Sequence, residues 1–372
     1  MDLGNRAAFK TLQGLTAGVL LATVAQVLQD RSAAEDVVQG VFAQLWQTAS
    51  GTTAPPARTL AWLCVVTRNR APDHLHRAPA AGRCCDNCPT MNPSYVLTLS
   101  CQDRTGIVHA VSGFLLERGG NIEEAAQYND HATGLFFMRV QFTCAQLTPD
   151  DLRLQLQLFA EPFGMQWGLH PLAAPMKTVI FVSKEGHCLN DLLFRWKSGL
   201  LRLDIRAIVS NHRDFYQLAA SYNVPFHHIA VGKDSKAQAE ERQLEIIRSE
   251  GADLVVLARY MQILSDRLCR ELSGKAINIH HSFLPSFKGA KPYYQAHDRG
   301  VKLIGATAHY VTADLDEGPI IEQDVARVDH TDTVEDLTSV GRDTESQVLA
   351  RAVKWHSEHR VLLNGHKTVV FK

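Results

Sequence analysis

Four short, almost continuous apolar runs beyond residue 175 constrain the fold of the chain more than any other feature. They span residues 178–182, 205–209, 253–257 and 276–279, and they alternate with segments of helical spacing. A strand that is apolar at nearly every position has both faces covered, which is typical of a parallel sheet with helices on both sides. We therefore predict an α/β domain over residues 176–372, with its functional site beyond the carboxyl ends of the strands.

The pattern is different between residues 95 and 172. Strands are predicted at 95–100, from 121, at 134–142 and up to about 170, and helices are predicted at 106–117 and 150–160. Gly119-Gly120 ends the first helix and Thr148 caps the second. The β-α-β-β-α-β order predicts an α+β, ferredoxin-like domain with both helices on one face of an antiparallel sheet.

Residues 1–78 have the spacing of helices, interrupted by a loop at residues 51–56, so we predict an all-α segment. Ser32 and Glu35 form a capping-box pattern before an apolar stripe. Residues 79–94 hold three prolines and three cysteines without apolar periodicity, and we predict a linker there. Its thiols, Cys84, Cys85 and Cys88, lack a recognisable zinc spacing, so no metal site is predicted.

Composition and charge favour a cytoplasmic location. The chain has 38 Lys and Arg residues against 39 Asp and Glu, so no overall field recruits nucleic acid or an anionic membrane. The eight cysteines have no framework spacing, as expected in a reducing compartment. The apolar stretch 15–28 is too short to span a membrane and has amphipathic spacing, so we predict no membrane association.

Three side chains with hydrolytic potential follow the last apolar run. In a strand, Asn278 and His280 point to the same face. A second strand, 305–311, leads into a turn that holds Asp316, where a carboxylate can be partly buried and its pKa raised. An amide, an imidazole and a carboxylate suffice for hydrolysis or transfer at a formyl group. On spacing alone, a neighbouring loop that satisfies Asn278 and His280 explains that pair equally well, and stabilisation of the turn is the commoner explanation for an aspartate such as Asp316.

A longer ordered motif surrounds these residues. It comprises Asn278-Ile279-His280, Leu284-Pro285, Gly289-Ala290, Gly305, Thr307, His309 and Asp316-Glu317-Gly318-Pro319. It resembles the signature of the folate-dependent formyltransferase family over residues 176–372. The resemblance implies a Rossmann-like domain in which Asn278 and protonated His280 stabilise the oxyanion at the formyl carbon. It also implies that Asp316 orients water, keeps His280 charged and helps to move protons to N10.

The same resemblance implies a folate pocket. Its segments correspond to Met261-Gln262-Ile263-Leu264 and Thr312-Ala313-Asp314, whose main chain would bind the pterin; many relatives carry arginine where Gln262 stands. The loop 183–189 has one glycine and the carboxylate of Glu185, so it serves an acceptor phosphate poorly. Water is then the predicted acceptor, and transfer to an unidentified amine is the alternative.

The preceding domain carries a second resemblance. Asp103 to Val108 and Gly119-Gly120-Asn121-Ile122 resemble the ACT family of amino-acid-sensing modules. This implies an effector site between paired subunits, with glycine and methionine as first candidates. Its implied residues are Asp103, Thr105, Gly106, Ile107, Asn121 and Ile122.

An ACT-like domain joined to a formyltransferase-like domain is the arrangement of formyltetrahydrofolate deformylases. That resemblance covers residues 95–372. It implies hydrolysis of 10-formyltetrahydrofolate to tetrahydrofolate and formate by a homo-oligomer without a cofactor. Such an enzyme supplies formate for purine biosynthesis and balances one-carbon pools.

The N-terminal segment carries a third resemblance. Residues 33–42, Leu45-Trp46, 61–63 and 68–73 resemble region 2 of extracytoplasmic-function sigma factors, which binds RNA polymerase and the melted promoter strand. Pro72 interrupts the helix, and no region 4 follows. We therefore expect residues 1–90 to be a fused neighbour, or one wrongly joined to the chain. The non-enzyme alternative is a sigma-like transcription protein with a metabolic sensor.

Overall fold

Two sheets organise the described part of the chain. The computed structural model describes residues 92–232, 234–284 and 292–372, all within the compact unit Thr90–Lys372. The predictions for residues 1–91 and for the motif residues Pro285, Gly289 and Ala290 lie outside the described residues. No helix in the described ranges is long and apolar enough to cross a membrane.

The first sheet confirms the predicted α+β domain. Its elements are β1 (Ser94–Gln102), α1 (Ile107–Glu117), β2 (Asn121–Asp130), β3 (Leu135–Thr143), α2 (Pro149–Ala160) and β4 (Gln166–Pro171). The strands lie in the order β2-β3-β1-β4, and every neighbouring pair is antiparallel. Thr148 begins α2 as predicted, because its side chain accepts a hydrogen bond from the Asp151 amide.

Alternation along β1 and β3 gives this sheet two different faces. One face packs against α1 and α2 through a cluster that includes Tyr95, Leu97, Met138 and Val140. On the opposite face Phe137 packs against Val369 and Phe371 near the C-terminus. The ACT-like sheet is therefore covered on both faces, by its own helices and by the end of the chain.

The second sheet has seven strands, in the order β11-β10-β9-β8-β5-β6-β7. Its elements are β5 (Met176–Val182), α3 (His187–Lys197), β6 (Leu203–Ser210), α4 (Tyr216–Ser221), β7 (Phe226–His228), α5 (Lys236–Ser249), β8 (Leu254–Leu257), α6 (Asp266–Glu271), β9 (Ala276–His280), α7 (Pro292–Asp298), β10 (Leu303–Tyr310), β11 (Ile320–Arg327) and α8 (Val334–Ser357). A hairpin follows, β12 (Val361–Asn364) and β13 (Lys367–Val370).

The predicted α/β sheet is present, and it is mixed rather than fully parallel. Strands β5 to β9 run parallel to one another, whereas β10 runs antiparallel to both of its neighbours, β9 and β11. The residues of β10 are buried at almost every position, so the apolar pattern could not reveal the strand's direction. Helices α3 and α8 cover one face of the sheet, and α5 and α6 cover the other.

Candidate active site

The structure brings the predicted catalytic trio together where β9 ends. Asn278 and His280 share one face of β9, and Asp316 lies in the turn between β10 and β11. The Nδ1 atom of His280 is 3.3 Å from Oδ1 of Asp316. Asn278 is linked to this pair through His309, whose Nε2 is 3.3 Å from the Asn278 amide nitrogen and 3.8 Å from Asp316 Oδ1.

The turn that carries Asp316 depends on local backbone geometry. Asp316 adopts a left-handed conformation with φ of 59°. A Cβ atom on Gly318 would lie 1.7 Å from the carbonyl oxygen of Tyr310, so no side chain fits there. The Tyr310 amide also donates to the Pro319 carbonyl at 2.9 Å. These contacts explain why glycine follows the acidic pair, and they hold the carboxylate over β9.

The expected rise in the pKa of Asp316 was wrong. The hydrogen bond with His280 is the largest influence on this carboxyl group, and it lowers the pKa below its usual range despite partial burial. The electrostatic influence of His280 adds to the lowering. Asp316 is therefore an anion at neutral pH.

His309 is also part of the site. The sequence indicates this residue only as a member of the ordered motif, without a role. Its Nδ1 lies 2.9 Å from the Tyr310 carbonyl oxygen, which can only accept, so Nδ1 carries the hydrogen. Burial lowers the pKa of His309, which makes the ring neutral and leaves Nε2 as an acceptor for the Asn278 amide. His309 thus fixes the orientation of that amide. Because it pairs with Asn278 across the strands, correct strand pairing could have found it.

A buried network supports His280 from behind. The ring of His281 stacks on that of His280, with centroids 4.8 Å apart. Arg259 donates from Nη1 to Nδ1 of His281 at 2.7 Å, and its Nε is 3.3 Å from Oε2 of Glu345. Burial, together with the charge of Arg259, lowers the pKa of His281 to about 4. His281 is therefore neutral, and the cation of Arg259 is held next to the stacked rings by its hydrogen bond to His281.

Glu345, from the middle of α8, balances that cation. It is 1% exposed, and it is bonded to His187 at 2.7 Å and to the Tyr293 hydroxyl at 2.6 Å. Burial alone would raise its pKa, but the hydrogen bonds and the charge of Arg259 outweigh burial and lower it. Glu345 is thus the anion of a buried ion pair. These partners are far apart in sequence, and no local sequence pattern predicts that they contact one another.

His187, Cys188 and Glu345 also have three donor atoms within 4.8 Å of one another. Burial raises the pKa of the Cys188 thiol far above its usual range. Glu345 pairs with both His187 and Arg259, so two of the three residues belong to the ion-pair network.

The segments predicted to bind folate lie in loops beside the trio. Met261 follows β8, and its amide donates to Ser183 Oγ at 2.9 Å, while Ser183 donates to Asn211 at 2.8 Å. This ties together the loops that follow β5, β6 and β8. The side chains of Met261 and Ile263 are 56% and 63% exposed. The segment 312–314 opens the connection that leads to Asp316.

The loop after β5 is crowded at the beginning of α3. A Cβ atom on Gly186 would lie 2.2 Å from the ring of Phe215. The carboxylate of Glu185 pairs with Arg342 at 2.8 Å, and His187 is held by Glu345. An aromatic ring and a carboxylate, rather than a glycine-rich cradle, therefore border this helix end.

The residues predicted to bind an effector do not come together within one chain. Asp103, Thr105, Gly106 and Ile107 lie where β1 meets α1, whereas Asn121 and Ile122 begin β2. The end of β1 pairs with Leu135, and Asn121 pairs with Thr143, so the two groups occupy opposite ends of β3. That separation is roughly 26 Å at the usual rise per residue.

Comparison with known families finds matches in three separate parts of the chain. A family model for formyl transferase matches residues 176–353, one for the ACT domain matches 95–153, and one for sigma-70 region 2 matches 16–79. The formyltetrahydrofolate deformylase of Corynebacterium sp. (strain P-1) is 53% identical over 280 residues, which covers 75% of this chain and 98% of the relative.

Solved structures show the same relationship. The crystal structure of formyltetrahydrofolate deformylase from Burkholderia mallei ATCC 23344 has 55% sequence identity and a TM-score of 0.73, over 75% of this chain and 100% of that one. Glycinamide ribonucleotide transformylase 1 from Symbiobacterium toebii has 28% identity and a TM-score of 0.51, over 55% of this chain and 98% of its own. This chain therefore belongs to the formyltetrahydrofolate deformylase family.

Proposed function

We propose that this chain hydrolyses 10-formyltetrahydrofolate to tetrahydrofolate and formate. The observation that carries the proposal is the environment of His280. Its Nδ1 faces the anionic Asp316, and its Nε2 is buried without a hydrogen-bond partner among the described residues. A bound formyl oxygen would satisfy that buried donor, which is the arrangement expected of an oxyanion-stabilising group.

The proposed chemistry uses the trio in three roles. Water attacks the formyl carbon, and the developing negative oxygen is stabilised by the imidazolium of His280 and by the Asn278 amide that His309 orients. Asp316 orients the water and holds the Nδ1 side of the His280 ring. As the carbon–N10 bond breaks, the proton lost by water is passed to N10. Formate and tetrahydrofolate leave, and no cofactor is required for any step.

Water is the proposed acceptor because of the environment of α3. The ring of Phe215 and the carboxylate of Glu185 border the helix end that would otherwise receive an acceptor phosphate. Transfer of the formyl group to an amine is the alternative. The two differ in whether formate appears without an added acceptor.

For the substrate, we place the pterin against the loops 261–264 and 312–314. Met261 and Ile263 expose large apolar surfaces there, which suit the flat face of a pterin ring. Gln262 lies in the first of these loops, and we propose that it makes an uncharged contact with the substrate.

The ACT-like domain is proposed to bind an amino acid, with glycine and methionine as the first candidates. Because its two groups of predicted residues lie at opposite ends of one sheet, a site that uses both requires two subunits. Exposed leucines on α1 and α2, namely Leu116, Leu154 and Leu158, support assembly into a homo-oligomer. RNA polymerase or nucleic acid is a partner only if residues 1–90 function as the sigma-like segment.

The test of the proposed function is an acceptor-free assay of the purified full chain. We expect formate and tetrahydrofolate to appear in equal amounts from 10-formyltetrahydrofolate in buffer alone. Turnover that begins only when an amine is added would establish the transferase alternative instead.

A further inference from the structure

The ring of His280 is held from two sides, and only one of them belongs to the trio. Asp316 contacts the ring at one atom, Nδ1. The ring of His281 covers a face of it, with centroids 4.8 Å apart and planes that differ by 18°. A contact at one atom limits the rotation of a ring less than packing across a face does. The orientation of His280 therefore depends on what fixes His281.

Arg259 is the residue that fixes His281. Its Nη1 atom donates to Nδ1 of His281 at 2.7 Å. A guanidinium can only donate, so Nδ1 carries no hydrogen and the neutral ring has its hydrogen on Nε2. The low pKa of His281, caused first by burial and then by the charge of Arg259, keeps the ring neutral at pH 7. Arg259 thus selects one tautomer and one position of the ring that stacks on His280.

The backbone at Arg259 is unusual for a residue with a side chain. Arg259 lies two residues beyond the end of β8 and has φ of 61°, a left-handed conformation that is unfavourable for arginine. Its carbonyl oxygen accepts from the Ser183 amide at 3.3 Å, and its amide donates to the Leu257 carbonyl at 3.1 Å. Its side chain is 13% exposed. An unfavourable backbone conformation is therefore retained at the residue that reaches His281.

Glu345 provides the negative charge on the other side of the guanidinium. It lies 3.3 Å from Nε of Arg259 and also pairs with His187 and with the Tyr293 hydroxyl. Helix α8 has a glycine where it meets that phenol, and a Cβ atom on Gly341 would lie 2.2 Å from the hydroxyl oxygen. Glycine is unfavourable inside a helix, so its presence here makes room for Tyr293. Three separate segments of the chain thus hold the counter-ion of Arg259 in place.

We propose that Arg259 is a positioning residue, which orients His280 through the ring of His281 and is itself held by Glu345. The proposal rests on the hydrolysis proposed above, in which His280 stabilises the oxyanion. A small displacement of such a donor lowers the rate strongly. Because Arg259 acts through another residue and not on the folate, it should affect turnover and leave the Michaelis constant unchanged.

The test is a double-mutant cycle on turnover of the full chain. Arg259→Met removes the charge and the donors, and we expect turnover to fall about tenfold with an unchanged Michaelis constant. His281→Phe keeps a ring beside His280 but offers no acceptor to Arg259. In that background, Arg259→Met should change turnover by less than about twofold, since its route to His280 is already broken. Losses that multiply in the double variant, or a rise in the Michaelis constant alone, would overturn the proposal.

Two further variants separate positioning from stability. Arg259→Met leaves Glu345 buried without its cation, which lowers stability, whereas Arg259→Met combined with Glu345→Gln removes both charges. The combined variant should fold and should still lose about tenfold in turnover. Arg351→Met is the matched control, because Arg351 is an arginine of α8 that pairs with Asp324 and Glu322. Its turnover should stay within about twofold of the wild type. A loss equal to that of Arg259→Met would overturn the proposal.

Nitrogen-15 NMR of labelled histidines tests the same contacts without turnover. The signals of His281 and His280 are identified by their loss in His281→Phe and His280→Ala. We expect the hydrogen of His281 to lie on Nε2 in the wild type and to be shared between both nitrogens in Arg259→Met, with a shift of the His280 signals. A hydrogen on Nδ1 of His281, or His280 signals that do not respond to Arg259→Met, would contradict the proposal. Because no catalysis is needed, failure of positioning is distinguishable from failure of the proposed hydrolysis.

Discussion

The candidate active site and the effector site predicted in the ACT-like domain differ in whether their residues come together within one chain. Around β9 and β10, Asn278, His280, His309 and Asp316 form a connected set within a single chain. In the ACT-like sheet, the predicted effector residues lie at opposite ends of β3. Catalysis should therefore depend on contacts inside one subunit, whereas the response to an effector should depend on assembly. Substitutions in the two regions test this contrast.

The largest effect is expected from His280→Ala. The variant removes the charged donor for the oxyanion, so turnover should fall by about a thousandfold. The Michaelis constant should change little, because the lost interaction strengthens only in the transition state. Steady-state kinetics of formate release measures both. If only the Michaelis constant rises, His280 is a binding residue and its proposed role is wrong.

Asp316→Asn should lower turnover by at least about a hundredfold with nearly unchanged folate binding. The variant is close to isosteric and removes the charge beside His280. Because the folded-state pKa of Asp316 is lowered, its charge is fully present above the usual carboxyl value of 3.8 and is lost only as pH falls through the lower folded value. Any acid limb of wild-type activity near pH 5 to 6 must then come from another group. A limb in that range that disappears in Asp316→Asn would contradict this assignment.

The response to an effector should disappear in Gly106→Leu while basal hydrolysis stays within about twofold of the wild type. Gly106 has φ of 94° at the start of α1, a conformation that leucine adopts only with strain. Effector coupling of this kind commonly changes rates by roughly five- to a hundredfold. Gly199→Leu is the matched control, because Gly199 has φ of 76° outside the ACT-like domain.

Titration of each standard amino acid against formate release, with the oligomeric state monitored, measures that response. A flat rate across all of them in the intact wild-type oligomer would leave the ACT-like domain a structural role only. A response that persists in the Gly106 variant would place the effector elsewhere.

The smallest kinetic effect is expected from His309→Phe. It removes the acceptor that orients Asn278, so turnover should fall by about tenfold with an unchanged Michaelis constant. His356→Phe is the matched control, since it removes another neutral histidine, which lies in α8 and is hydrogen-bonded to the Tyr310 hydroxyl. Equal losses in both variants would mean that His309 acts only through stability.

Features that depend on local patterns could be predicted from the sequence, whereas features that depend on packing could not. The strands and helices of the ACT-like domain, the Thr148 cap and the proximity of Asn278, His280 and Asp316 follow from local patterns and an ordered motif. The direction of β10 cannot be predicted from such patterns, because a buried strand is apolar whichever way it runs. The sign of the Asp316 shift depends on its distance to His280, which no periodicity supplies.

The network behind His280 was also beyond sequence reasoning. Arg259, His281 and Glu345 meet only after the sheet and α8 have packed together, and their sequence separations carry no repeat. Burial of charged residues is unusual enough to be informative, but only once the burial is known. The sequence therefore predicts which side chains can react, and the packed structure determines how they are charged and oriented.

The most direct test of the central claim is hydrolysis in water enriched in oxygen-18 without an amine acceptor. If water attacks the formyl carbon within this chain, formate should be released and should carry one solvent oxygen atom at nearly the enrichment of the solvent. The isotope content is read from the mass of the formate formed early in the reaction, with formate incubated alone as the exchange control. Unlabelled formate, or no formate until an amine is supplied, would contradict the hydrolytic role proposed for His280, Asn278 and Asp316.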